Sequence, residues 1–296
     1  MKWLLAPRIA TALAVLLLAL SAAQAAAQRF EQGLLWRIEG QGAPASHLLG
    51  TIHVDDPRVI ELPPPVAREL KAARSLTVEV GLESSNLMAL ASRMVFLDGR
   101  DLPGVAGAEL FDKAAGIVAK LGVPEPVFRL FKPWAAALLL SMPRQDPTQV
   151  LDYVLARIAA EQGKPVHELE SVFEQVEAFE GMGEQDQIAL FRHAVNNHER
   201  LPRAIGRLVD AWLARDLAAM WRISREGGGE GAETRRLNDL FIQRVIDERN
   251  TRMAERMQAR LKEGEAFVAV GALHLYGDRG VLSLLERRGW RVTRVY

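Results

Sequence analysis

Short apolar runs of strand length alternate along the chain with longer stretches of helical period, which is the pattern of an α/β protein. Residues 34–39 and 47–52 are apolar-rich and separated by Gly40-Gln41-Gly42-Ala43-Pro44, so they predict a β-hairpin. Residues 62–73 open with Pro63-Pro64-Pro65 and predict a helix. Residues 75–80, rich in β-branched side chains and followed by Gly81, predict a strand. From Ser84 to about Glu161 the period turns helical, with breaks at residues 99–107, 122–124 and 143–147, which gives a helical insertion between strands.

Residues 164–170 form a short candidate strand, and helical patterns resume from Phe173 to about Arg225, broken at residues 181–183 and at Pro202. Residues 233–263 carry the longest helical pattern, which Gly264 ends. Residues 266–275 read as a near-continuous apolar strand, followed by a short helix over 281–288 and a last strand over 290–295. Such a β-loop-α-β tail predicts two parallel strands side by side. The run Gly227-Gly228-Gly229-Glu230-Gly231 reads as a loop within one domain, because strands of a single sheet lie on both sides of it.

The extreme N-terminus changes this picture by adding a segment outside the fold. Lys2 and Arg8 precede an apolar run from Ile9 to Leu20, and Ala-x-Ala sites end at Ala25 and Ala27. This is the layout of a cleavable secretory signal over residues 1–27, and the run is shorter than the roughly 20 residues of a spanning helix. The expectation is an exported protein, periplasmic or secreted, with residues 28–296 as a single domain and no stable membrane span after cleavage. There is no Cys, so disulfides, thiolate ligands and a cysteine nucleophile are excluded. About 270 residues remain after processing, with 35 basic against 37 acidic side chains, a net charge of about −2. That balance gives no global attraction to nucleic acid, and no nucleic-acid partner is expected.

Four side chains capable of chemistry fall at or just beyond predicted strand ends: His53, Glu79, Glu170 and His274. In open α/β sheets ligands bind beyond the carboxyl ends of the strands. Two imidazoles and one or two carboxylates suit a divalent ion such as Zn, Mn, Co or Fe, which would lower the pKa of a bound water and polarise a carbonyl. Each His closes a Gly-x-x-His element, Gly50-Thr51-Ile52-His53 and Gly271-Ala272-Leu273-His274, whose glycine permits close approach or a bulge. A strand-end His is equally readable as a hydrogen-bonded structural group, and Glu79 as half of a salt bridge. On the long helix Asn250 interrupts the apolar stripe of Ile246, Met253 and Met257, and Arg249 beside it is able to reach a carboxylate or an oxyanion; a solvated Arg and a backbone-bonded Asn are the alternative. No Gly-x-Ser-x-Gly elbow, P-loop, His-Glu-x-x-His helix or EF-hand loop occurs.

Several stretches resemble the TraB/PrgY/GumN family: Leu34-Leu35-Trp36-Arg37-Ile38 leading to the first Gly-x-x-His, the strand reaching Glu79, Gly163-Lys164-Pro165-Val166 leading to Leu169-Glu170-Ser171 with Gln175, Glu248-Arg249-Asn250, and the closing Val270-Gly271-Ala272-Leu273-His274. The likeness spans the mature chain. That family is similar to the Tiki proteins, described as metal-dependent proteases with two Gly-x-x-His motifs, and more remotely to erythromycin esterase-like and haem-binding ChaN-like proteins. The resemblance implies an α/β (α+β) fold with a central mixed β-sheet and a large helical insertion. It also implies a site on His53, His274 and Glu79, with Arg249 and Asn250 as a polar pair on the late helix and Glu170 as the acid of a Leu-Glu-Thr/Ser element, where Ser171 replaces the commoner Thr.

The resulting expectation is an exported metal-dependent hydrolase, a peptidase, acting on a peptide or small-molecule substrate. His53, His274 and Glu79 would hold Mn, Co or Zn, Glu79 or Glu170 would act as general base, and Arg249 with Asn250 would steady substrate or oxyanion. The alternative is a non-catalytic envelope protein that binds a peptide, a haem or another small ligand in the same crevice. An accessory of envelope or polysaccharide export ranks third. Oligomeric state is not readable from the sequence.

Overall fold

The apolar runs assemble, among the described residues, into one six-stranded sheet: β1 (Leu35–Gly40), β2 (Ala43–Thr51), β3 (Ser75–Val78), β4 (Val166–Glu168), β5 (Ala266–Gly271) and β6 (Arg291–Arg294). The computed structural model describes residues 30–81, 90–226 and 231–296. The expected export signal, the start of the helical stretch at residues 84–89 and the glycine run at 227–230 lie outside the described residues.

The strand order is β4-β3-β5-β2-β1-β6. β4, β3, β5 and β2 run parallel, and β1 pairs antiparallel with both β2 and β6. The fold is therefore α/β with a mixed sheet. Ala266, Phe267, Val268, Ala269 and Val270 of β5 are all buried. Successive strand side chains point to opposite faces, so both faces of the sheet are covered at its centre. The predicted hairpin is present and tighter than expected. Gln41 (φ 54°) and Gly42 (φ 75°) make a two-residue turn with both φ positive, the twist a hairpin favours, so β2 starts at Ala43 and not at His47.

Three other expectations are corrected. β5 and β6 are parallel but not neighbours, because the β1–β2 hairpin lies between them and β6 pairs with β1, Trp36 opposite Arg294. The strand expected over 266–275 stops at Gly271; Ala272–His274 form a 3₁₀ turn, closed by Leu275 N–H donating to Ala272 O. Apolar content alone does not separate a strand from the tight turn that follows it. The long late helix is two α-helices, Ala232–Phe241 and Glu248–Glu263, joined through a π turn at Ile242–Asp247.

Among the described residues four apolar clusters fill the interior, and two of them hold most of it. The larger packs helices Leu151–Glu161, Glu248–Glu263 and Val281–Arg287 on the sheet through residues such as Leu155, Met253, Met257 and Leu285. The smaller lies in the helical part, where Phe111, Phe128, Leu140 and Phe191 meet. Among the described residues no helix is long and apolar enough to cross a membrane. Because the four parallel strands end on one side of the sheet, residues 51–53, 79, 168–170 and 271–274 emerge at a common edge.

Candidate active site

β3 ends at Val78, so Glu79 is the first residue beyond the strand and turns into the protein, 6% exposed. A lone buried carboxylate is costly, and here both oxygens have partners. Glu79 Oε1 accepts from Gly271 N–H (2.6 Å), and Glu79 Oε2 accepts from Arg249 Nη2 (2.6 Å) and Gln175 Nε2 (3.4 Å). Burial works against the carboxylate. The charges it faces at His274, Arg249 and His53, with the Gly271 amide, outweigh burial and hold its pKa at about 2.

Arg249 is buried on the first turn of its helix, just past the π turn, a feature frequent at functional sites. Its Nη1 donates to Val245 O within that turn, and its Nε to Glu170 Oε2 (2.8 Å). Glu170, with no exposed side-chain surface, gives its other oxygen to Arg252 Nε (2.9 Å). Ser171 then caps the helix Val172–Glu180 in a reciprocal box with Glu174, so the hydroxyl shared by Ser and Thr fixes the Glu170 backbone in either case.

His274 is buried on the 3₁₀ turn after β5. Asn250 Nδ2 donates to Arg279 O (2.9 Å), which orients Asn250 Oδ1 as the acceptor of the proton on His274 Nδ1 (2.7 Å). That bond assigns the tautomer: Nε2 carries the lone pair, 3.7 Å from Glu79 Oε1. Burial pushes the His274 pKa down to about 4, so the ring is neutral at pH 7.

His53 lies two residues past β2, its side chain 57% exposed. Asp152 Oδ2 stands 2.8 Å from His53 Nδ1, and Thr51 Oγ1 donates to Asp152 Oδ1 (2.9 Å). The Asp152 carboxylate raises the His53 pKa to about 9. Water at the exposed ring screens this pair, so its contribution to stability is small.

The two motif glycines have different jobs. A Cβ on Gly271 would sit 3.3 Å from Glu79 Oε1, 3.5 Å from His274 Cδ2 and 3.7 Å from His53 Nε2, so the space in front of Gly271 is the point on which the three groups converge. A Cβ on Gly50 would instead meet Leu275 Cδ1 at 2.7 Å and Ala272 Cα at 3.1 Å, and Gly50 O accepts from Trp212 Nε1 (3.0 Å). Gly50 is a packing glycine that lets the His274 turn lie against β2.

The structure thus brings His53, Glu79 and His274 to one place and sets Glu170, Arg249 and Asn250 behind them, with protein partners on the charged and amide groups of all three. Asp152, Thr51 and Arg252 were not singled out by the sequence. Asp152 is the second residue of the helix Leu151–Glu161, where an acid reads as an ordinary partner of the helix N-terminus.

Among the described residues no group of three or more His, Cys, Asp or Glu is placed to hold a metal ion. Two of the donors nevertheless stand near the spacing of ligands on one ion. Two ligands of a tetrahedral ion at 2.0–2.1 Å are about 3.4 Å apart, near the 3.7 Å between His274 Nε2 and Glu79 Oε1, and His53 is exposed enough to adjust. Both imidazoles are also held through Nδ1, as outer partners orient ligating histidines.

Comparison with known proteins finds relatives along most of the chain. "Uncharacterized protein YbaP" of Shigella flexneri is 24% identical over 251 residues, covering 81% of this chain and 88% of its own. YbaP of Escherichia coli strain K12 is 24% identical over 250 residues, covering 81% and 87%. "Metalloprotease TIKI homolog" of Amphimedon queenslandica is 23% identical over 319 residues, covering 90% of this chain and 62% of the relative, so this chain spans about three fifths of that protein. No solved structure matches. The family model for TraB/PrgY/gumN aligns with residues 34–294, through both Gly-x-x-His elements, and the chain belongs to that family.

Proposed function

We propose that the chain is an exported metal-dependent hydrolase that cleaves peptides in the space before Gly271. The observation that carries this reading is the convergence there of His53 Nε2, the His274 ring and Glu79 Oε1. His53, His274 and Glu79 would hold one Mn, Co or Zn ion, which when bound would polarise a carbonyl and activate water for attack. A carboxylate held near pKa 2 is a weak base at neutral pH and a good anionic ligand, so Glu79 is assigned to holding the ion and not to proton transfer. Arg249 and Glu170 fix the position of Glu79, and Asn250 keeps the lone pair of His274 on Nε2. Asp152 does the corresponding work for His53. Support for peptide cleavage comes from the relative named a metalloprotease, and support for export from the pattern of the first 27 residues.

The test is cleavage of a mixed peptide pool, read by mass spectrometry. The expectation is cleavage that a chelator stops, that Mn, Co or Zn restores, and that is absent from Glu79→Gln. Cleavage indifferent to chelator, or none under any metal, contradicts the proposal. One observation favours a second reading, a metal-free binding protein: Glu79 is already neutralised by Arg249 at 2.6 Å. On that reading peptides bind equally well with and without chelator and are released intact.

A further inference from the structure

We propose that the helical part of the chain carries a second ligand site, for a single-chain anionic amphiphile, with its hydrocarbon tail in an apolar cavity and its carboxylate or phosphate head on the arginines beside it. The tail site is a cavity of about 460 Å³ walled by Trp134, Leu138, Phe179, Leu208, Leu237 and Phe241, from helices Pro133–Ser141, Val172–Glu180, Leu201–Leu213 and Ala232–Phe241. Its volume lies in the range of small-molecule sites. Among the described residues no Asp, Glu, Lys or Arg lines it, and its polar lining is Ser141, His193, Ser224, Thr234 and Asn238. The rest of the wall is apolar, so a hydrocarbon chain, which has nothing to pair, gains by leaving water there.

Ser141 and His193 line both this cavity and a second one of about 560 Å³, which makes the two neighbours. Arg200, Arg203 and Arg207 line the second cavity, with Glu199 and Glu226. Arg207 is paired with Glu226 at 2.7 Å. Among the described residues Arg200 reaches Asn197 Oδ1 at 3.5 Å, and neither Arg200 nor Arg203 has an ion-pair partner. Among the described residues two guanidiniums uncommitted to a carboxylate therefore face one such acid, Glu199, and the excess is positive. A guanidinium matches carboxylate and phosphate oxygens in a fork, so the head group is an anion. Neither cavity is lined by His53, Glu79 or His274, and the proposal stands independently of the hydrolase reading.

The test titrates the purified full chain with palmitate, hexadecyl phosphate, uncharged monopalmitin and inorganic phosphate, all below micelle formation, by displacement of a fluorescent fatty acid. Palmitate and hexadecyl phosphate should displace it saturably and inorganic phosphate should not; the stronger of the two identifies the preferred head. Leu237→Trp, which fills the cavity, should weaken all three amphiphiles about tenfold or more. Leu208→Trp serves the same purpose if that variant does not fold. Arg200→Glu with Arg203→Glu should weaken the two anions about tenfold and leave monopalmitin within about twofold. No saturable binding by the wild type up to about 100 μM, unchanged binding after cavity filling, or equal loss for charged and uncharged ligands overturns the proposal.

Discussion

Asn250 Oδ1 lies 2.7 Å from His274 Nδ1, and the same amide is fixed in turn by the Arg279 carbonyl, so a residue on the late helix dictates which nitrogen of His274 faces Glu79. Replacing Asn250 by Leu keeps the helix and removes the orienting acceptor. Metal affinity should fall about 10- to 100-fold, the usual effect of losing an outer partner of a ligating His. Isothermal titration with Zn or Mn measures it, and unchanged affinity would remove Asn250 from the site.

Gly271→Ala and Gly50→Ala should separate function from packing. The first places a methyl group 3.3 Å from Glu79 Oε1 in the space the ligands share, so metal binding and cleavage are lost with little change in stability. The second drives a methyl into Leu275 and Ala272, and overpacking of this kind costs about 1–3 kcal/mol. Urea unfolding alongside metal titration distinguishes the two.

Arg249 sits between two buried carboxylates, Glu79 and Glu170. Arg249→Met leaves both short of their shared partner and should destabilise the fold by about 3–5 kcal/mol. Glu170 keeps Arg252, so adding Glu170→Gln removes a charge that is still half paired and should recover only part of that loss, a coupling that a double-mutant cycle in urea reads directly.

In metal-free protein His274 makes stability depend on pH. Its folded pKa is about 4 against 6.5 for an unperturbed ring, so between those values the unfolded chain holds a proton that the folded one refuses. Stability is undiminished above pH 6.5 and falls as pH drops toward 4, by about 1.4 kcal/mol per unit at most. Unfolding free energies at pH 6.5 and 5 should differ by about 1–2 kcal/mol more in the wild type than in His274→Gln. Equal slopes would mean that the ring takes up its proton in the fold as readily as in the unfolded chain.

Much of the site was legible because its residues break local patterns. Glu79 ends an apolar strand, Asn250 interrupts an apolar stripe, and two histidines follow glycines at strand ends. What stayed hidden depends on distance along the chain. Asp152 reaches His53 across about a hundred residues, and nothing around it distinguishes it from other acids in the first turn of a helix. The π turn at Ile242–Asp247 also escaped, since one widened turn barely shifts the apolar spacing of a 30-residue pattern, yet it immediately precedes the turn on which Arg249 reaches both glutamates. The sheet order escaped because adjacency of β5 and β2 is set by pairing across the whole chain and not by the βαβ rule that reads the tail alone.

The most direct test is the metal content of protein purified without a metal-binding tag, followed by titration of the stripped chain with Mn, Co and Zn. One divalent ion per wild-type chain, lost in His53→Ala and in His274→Ala while both variants remain folded, is the predicted result. A folded wild type that binds none of the three ions, or variants that bind them as well as it does, would contradict the account.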